Sequence, residues 1–344
     1  MSTRHLPLRT ALAGALAAAL ANLALAAPLY HVINTGVDGE SHAINDAGAI
    51  SGDGWDFQPG NPIWKWQDGV TTNLQYDGYA GSGDAINGAG IVAGSVWSQN
   101  FDSVQAVVWS IDGTPTYLGA LPGGDGAAAY GINDAGTIVG WFNRADGSEG
   151  SFIVRDGKMK DLDPKASRSQ AQAINASGQV TGTRQGPGAT ESHAYLFTAG
   201  KFKDLGTLGG SYSIGHALNS NGHVAGESSL ATHHGTGHAS RAFLWDGRKM
   251  KKLGTLPGAG NSWATGINDS EQVVGIATVP KHLPRVWVWI EGTMYDLATV
   301  LDGTSGNWQF YDIGGINNAG QIVGRATPDN GASNYVVILD PVAH

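Results

Sequence analysis

The chain has 344 residues, 52 of them glycine and none cysteine, with Lys+Arg 20 against Asp+Glu 29 for a formal net charge of -9 at pH 7. Without cysteine there is no disulfide framework, thiolate metal site or thiol nucleophile, and the acidic balance argues against a nucleic-acid partner. Glycine at this level without a Gly-X-Y period excludes collagen and points away from a helical bundle, toward short strands joined by tight turns.

In chain order, residues 1–26 read as a secretory signal peptide. Arg4 and Arg9 precede an apolar run from Ala11 to Ala27, and Ala24 and Ala26 are small residues before a cut placed after Ala26. The expected mature domain, 27–344, contains no later stretch approaching 18 consecutive apolar residues, so no membrane span is expected after signal removal. It should be secreted, periplasmic or extracellular, and monomeric. A lone strand follows, YHVINTG at Tyr30.

Seven copies of one ten-residue phrase then run to the end. They are AINDAGAISG at Ala43, AINGAGIVAG at Ala85, GINDAGTIVG at Gly131, AINASGQVTG at Ala173, ALNSNGHVAG at Ala217, GINDSEQVVG at Gly266 and GINNAGQIVG at Gly315. Their asparagines, from Asn45 to Asn317, are 42, 46, 42, 44, 49 and 49 residues apart, a period that suits four strands per unit. The phrase reads as strand, hairpin turn, strand. Asn tolerates the turn backbone and can bond to it, and the glycine three residues on is free of the Cβ penalty. Unit six has Glu271 in that place. The phrase's last glycine, at 52, 94, 140, 182, 226, 275 and 324, never varies, which implies a bulge or a close backbone approach in the second strand.

Farther along each unit comes a nearly continuous apolar run, such as IWKW at Ile63 or VWVW at Val286, expected to be covered on both faces. A short turn, often Asp-Gly as at Asp68-Gly69 and Asp156-Gly157, leads to a polar fourth strand such as KMKDL at Lys158. Lysines alternating there suit an outer edge, where charge discourages sheet-to-sheet association. Four strands per unit and seven units predict an all-β, seven-bladed propeller. The last unit has only three strand segments, so the strand at Tyr30 should complete its blade and close the ring. A β-solenoid is the structural alternative, though its coils are usually shorter.

At HAYLF (His193), RAFLW (Arg241), KDLGTLGG (Lys203) and GINNAGQIVG (Gly315) the sequence resembles the HAF-repeat family of probable extracellular bacterial proteins. The resemblance implies secretion and a repeat fold. It supplies no catalytic residue set to transfer.

Residues common to every unit serve the repeat, so functional candidates are sought among those that break it. Loops between strands two and three, and connections between units, gather on one face, where binding usually lies. Trp55, Trp97, Trp141, Trp263 and Trp308 mark that face, near Tyr212 and Tyr311. A flat ring beside Asp, Asn or Gln suits a sugar, although the ordinary role of a tryptophan is packing between blades. His233, His234 and His238, with Glu227, have spacing available for a divalent metal, against the plainer reading of a solvated loop. His42 and His216 stand three residues before the repeat asparagine, where other units have Asp84, Tyr130, Gln172, Thr265 and Gly314. A ring of this kind near a central channel is a candidate site.

No phrase such as G-x-S-x-G, H-E-x-x-H or a P-loop occurs, and no cofactor is implied. Were the protein an enzyme, His42, Tyr130, Arg168, Tyr212, His216 and Glu40 are candidates at the channel mouth, with the carboxylates Asp38, Glu40, Asp84, Asp125 and Asp312 for a glycosidase or cation site. Three functions remain open: binding of a glycan or cell-envelope polysaccharide on the loop-rich face, a polysaccharide lyase or glycosidase at the channel mouth, and a protein-interaction scaffold.

Overall fold

Each repeat forms one antiparallel sheet of four strands, and the seven sheets are arranged as the blades of a propeller in this computed structural model. It describes residues 27–54, 60–231, 239–329, 331 and 333–342; the expected signal segment 1–26 lies outside them. The innermost strands are Glu40–Ile44, Ala80–Ile86, Ala127–Ile132, Arg168–Ile174, Gly209–Leu218, Ser262–Ile267 and Trp308–Ile316. The third strands carry the apolar runs, and their central aromatics are fully covered: Trp64, Trp109, Phe152, Tyr195, Phe243 and Trp287 are at most 1% exposed. The fourth strands lie outermost, with Lys158, Lys160, Lys201 and Lys203 in solvent, as edge strands require. No described helix is long and apolar enough to cross a membrane.

The seventh blade is built from both ends of the chain. Trp308–Ile316, Ile322–Pro328 and Tyr335–Pro341 supply three strands, and Tyr30–Asn34 pairs antiparallel with the last of them, Tyr30 opposite Pro341 and Asn34 opposite Val337. Hydrophobic burial is divided in the same circular way. Among the described residues there are seven apolar clusters, one at each blade interface, such as Ile50, Trp64 and Trp66 against Val323, Val336 and Ile338 where the first blade meets the seventh. A blade therefore buries its two faces against different neighbours, and none has a core of its own.

The repeat phrase acts mainly between blades. Each asparagine donates its side-chain amide to the backbone carbonyl of the next repeat's asparagine: Asn45 to Asn87 at 2.8 Å, Asn133 to Asn175 at 3.0 Å, Asn219 to Asn268 at 3.1 Å, and around to Asn317, which donates to Asn45 at 3.0 Å. Asn87, Asn175 and Asn268 make the other three bonds of the closed ring. The same side chains accept turn N–H groups through Oδ1, as Asn45 does from Ala47 and Ala49. Left-handed backbone falls on the following glycines, Gly48 at φ +77 for example, and on Glu271 at φ +59 in the sixth repeat. The asparagines are not in that region, so turn conformation is not why they recur.

The unvarying second-strand glycines have two causes. In every blade the innermost strand bulges opposite them: Ala129 pairs with Gly140 and Gly131 with Val139, leaving Tyr130 unpaired. A Cβ on Gly140 would lie 1.9 Å from the Ala128 carbonyl oxygen, and one on Gly226 1.9 Å from that of Ile214. A Cβ there would also meet an aromatic ring of the third strand where one is present, 2.5 Å from Trp64 at Gly52 and 2.5 Å from Trp287 at Gly275. The bulge is thus the reason for the glycine.

Candidate functional site: the channel mouth

Each innermost strand has a bulge three residues before its asparagine that turns a residue out of the ladder. The residues at that position are His42, Asp84, Tyr130, Gln172, His216, Thr265 and Gly314, with Gly83 also skipped in the second blade. All seven line a single cavity of about 420 Å³, together with Glu40, Ser41, Trp263, Asp312 and Ile313. The innermost strands run from this cavity to the asparagine ring, so the cavity opens on the loop-rich face and the ring lies at the opposite end. No lysine or arginine is among the lining residues.

The ionisable groups are held by specific partners. His42 bonds through Nε2 to Asp53 Oδ2 at 2.6 Å, with the histidine 30% and the aspartate 12% exposed. Burial by itself pulls the imidazole pKa down, but the Asp53 hydrogen bond and the charges of Asp53, Asp84 and Glu40 outweigh it and raise it to about 9. Burial raises Asp84 to about 6, against the charge of His42 and the Ser82 hydroxyl. Asp312 is likewise raised to about 6 by burial, opposed by Arg325 and reinforced by Glu40. Arg325 bridges these two carboxylates, Nη1 to Glu40 at 2.8 Å and Nε to Asp312 at 3.0 Å. His216 is lowered to about 4 by burial and is neutral at ordinary pH. Tyr130 is raised to about 12 by burial and by the Asp84 charge, and its hydroxyl oxygen accepts the Trp141 indole N–H at 2.8 Å. The mouth is therefore a ring of uncharged donors and acceptors on one arc and a charged, internally paired arc around His42.

Of the residues singled out in the sequence, His42, Asp84, Tyr130, His216, Glu40, Asp312 and Trp263 meet in this cavity. Arg168 and Tyr212 do not line it. Arg168 pairs with Glu149 at 2.7 Å on a half-exposed strand start, and Tyr212 is 38% exposed, its pKa raised by burial and by the charge of Glu227. Asp38 also lies outside the lining, and Asp125 accepts from Asn143 at 2.9 Å farther out. The five tryptophans do not form one surface: Trp97 and Trp141 share a groove at the rim, Trp263 lines the channel, and Trp308 packs on the apolar cluster between blades six and seven. Trp55, His233, His234 and His238 lie outside the described residues, and Glu227 is a partly buried strand residue whose pKa burial raises. Among the described residues, no group of three or more His, Asp or Glu is placed to hold a metal.

Asp53, Arg325 and the groove residue Phe101 escape a reading of the sequence alone. A signal for two of them exists, since Asp53 and Arg325 directly follow the unvarying glycine, where other repeats have Ser95, Trp141, Thr183, Glu227 and Ile276. That position varies as widely as the bulge position, and from it Asp53, Trp141 and Arg325 reach side chains at the mouth.

Fold and site together define a seven-bladed β-propeller, closed by its own N-terminal strand, with an asymmetric polar mouth to its channel. The chain belongs to the DUF3466 family, described as "Protein of unknown function", whose match spans residues 122–334. No curated protein matches it. Among solved structures it is similar to the β-propeller domain of the Trilobed protease from Pyrococcus furiosus, with a TM-score of 0.56 at 9% identity, over 91% of this chain and 93% of that one. It is also similar to the acylaminoacyl peptidase of Pyrococcus horikoshii, with a TM-score of 0.50 at 13% identity, over 76% of this chain and 45% of that one. The likeness is one of fold. The Trilobed protease domain is described as having an open velcro topology; in this chain Tyr30–Asn34 pairs with Tyr335–Pro341.

Proposed function

We propose that this protein is an exported, monomeric ligand-binding propeller that takes a glycan or cell-envelope polysaccharide on its loop-rich face, with the channel mouth as the deepest point of contact. Residues 1–26 act in this reading as the signal and 27–344 as the mature HAF-repeat-like domain. One observation carries it. The repeats agree closely at the asparagines, the glycines and the buried runs, yet the seven bulge residues that share one cavity are of six different kinds. An amide, a phenol, a threonine hydroxyl and a neutral imidazole around that cavity offer donors and acceptors in several directions, which a polyhydroxy ligand needs, and Trp263 adds a flat apolar wall.

A second reading, a polysaccharide lyase or glycosidase, draws on the His42–Asp53 pair and on two carboxyl groups brought to about 6, the range in which proton transfer is effective near neutral pH. One experiment separates the readings: glycan screening of the purified protein with products monitored. Binding weakened at least tenfold in Gln172→Ala and Tyr130→Phe, with melting unchanged, is the expected result. New reducing ends or unsaturated sugars, lost in His42→Gln, would make it an enzyme. Neither binding nor turnover, with co-purification of an envelope protein, would leave the scaffold function.

A further inference from the structure

Beside the mouth, between the second and third blades, a groove of about 240 Å³ is lined by Trp97, Phe101, Asp102, Asp125, Trp141 and Asn143, among others. Phe101 stands out in it. It sits at the tip of a loop with φ +56 and is 49% exposed. The other described non-glycine residues with positive φ are Asp, Glu, Ala or Lys. A phenyl ring in this place costs on two counts, a left-handed backbone and apolar surface left in water.

The loop holds it there by its own bonds. Ser98 N–H donates to the Ser103 carbonyl at 3.0 Å, Phe101 N–H to the Ser98 carbonyl at 3.1 Å, and the Ser98 hydroxyl to Asp102 at 2.6 Å. A glycine at 101 would make the same turn with less strain, so the turn gives no reason for the ring. Tyr79 meets that ring edge-on, with centroids 5.1 Å apart. Asp125 is oriented toward the groove's amide, accepting from Asn143 at 2.9 Å.

We propose that this groove is a subsite for a neutral oligosaccharide running outward from the channel mouth, with Phe101, Trp97 and Trp141 as stacking faces and Asp125, Asp102 and Asn143 as hydroxyl partners. The inference rests on the glycan reading of the mouth and extends it. Trp141 joins the two cavities, lining the groove while its indole N–H reaches the Tyr130 hydroxyl in the channel. Aromatic faces take the C–H sides of a pyranose, and carboxylates and amides take its hydroxyls. Charge narrows the class. The groove has no lysine, arginine or histidine in its lining and carries Asp102 and Asp125, so a uronate or phosphorylated sugar meets like charge there, while at the mouth the cationic His42 and Arg325 are already paired with carboxylates.

The test uses calorimetry on the purified protein with cellohexaose, chitohexaose, their monosaccharides and an oligogalacturonate of equal length, and NMR of the Trp97 and Trp141 indole N–H signals. A neutral hexamer should bind at least tenfold more tightly than its monomer and shift both indole signals, and the oligogalacturonate should not bind. Phe101→Gly should bring hexamer affinity down to the monomer's while melting changes little, relief of the left-handed backbone offsetting the lost Tyr79 contact. Gln172→Ala should weaken hexamer and monomer alike. Neutral hexamers that do not bind, hexamer affinity unchanged in Phe101→Gly, unmoved indole signals, or preference for the acidic oligomer would each overturn the groove. Monomer and hexamer binding equally, and responding only to Gln172→Ala, would remove the groove and leave the mouth. A response to Phe101→Gly alone would remove the mouth and leave the groove.

Discussion

Each innermost strand leads straight into an asparagine of the ring and carries, three positions before it, a bulge residue of the channel mouth, and the two levels differ sharply in how much variation they hold. At the ring, seven side chains of one kind make seven bonds of one kind, and each is nearly buried, from 2% exposed at Asn268 to 7% at Asn45. At the mouth, the seven bulge residues include two histidines, an acid, a phenol, an amide, a hydroxyl and a glycine. The difference teaches where a repeat protein is constrained. A side chain that must bond to the next blade has one acceptable identity, because a buried amide without its partner is costly. A side chain that a bulge turns into an open cavity has no partner in the next repeat to match, and its bonds, such as His42 to Asp53 and Tyr130 to Trp141, differ from blade to blade.

The strongest way to break this contrast is to open the ring that both levels share. Deleting Pro28 to Thr35 removes the outer strand of the seventh blade, together with the buried Tyr30 and Val32. At about 1.5–3 kcal/mol for each buried side chain, the loss should be about 3–6 kcal/mol before the strand's own bonds are counted, seen as a large fall in the denaturation midpoint. An unchanged midpoint would show that the seam does not hold the ring. At the ring itself, Asn133→Ala should cost about 3 kcal/mol, since one buried bond given to Asn175 and one taken from Thr137 are lost together. A turn residue alone would cost about 1 kcal/mol, so urea titration distinguishes the two roles.

The mouth should instead reveal itself through pH. Folded His42 titrates at about 9 against 6.5 for the free side chain, so the stability it lends is whole below pH 6.5 and is lost as pH rises through 9. Wild-type protein should therefore lose about 1–3 kcal/mol between those values, allowing for water in the channel, and His42→Gln should flatten the decline in melting temperature. Asp84 and Asp312, also raised, favour the fold as pH falls from 6 toward 4, and His216 opposes them there. The smallest effect is expected at the sixth repeat's turn. Glu271→Gly relieves a left-handed backbone worth about 1–2 kcal/mol and gives up a partly exposed contact with His223, so stability should rise slightly or stay level.

Much of the architecture was legible before any coordinates. The 42- to 49-residue spacing, the apolar third runs and the stray strand at Tyr30 led to seven blades closed head to tail, and the residues three before each asparagine pointed to a ring at the channel. Other features were not. The asparagines do bond their own turns, as expected, but their second bond is not visible in the sequence, because its acceptor lies in the next repeat, 42 to 49 residues away or, at the seam, 272. Asp53 and Arg325 carry no signal of their partners in the sequence, because those partners, His42 and the pair Glu40 and Asp312, come within hydrogen-bond reach only in the folded blades. Trp97 and Trp141 were candidates of equal standing with Trp308, and only packing separated two that share a groove from one that fills a blade interface.

The repeat period and the spare strand at Tyr30 determined the number of blades and their closure, because each four-stranded sheet has two apolar faces and a circle of such sheets leaves neither face bare. Which side chains meet was decided by the tertiary structure, since residues lying tens to hundreds of positions apart share an axis only after the ring has closed. The channel residues meet in this way, at a place where the backbone leaves its ladder and the repeat no longer dictates the residue.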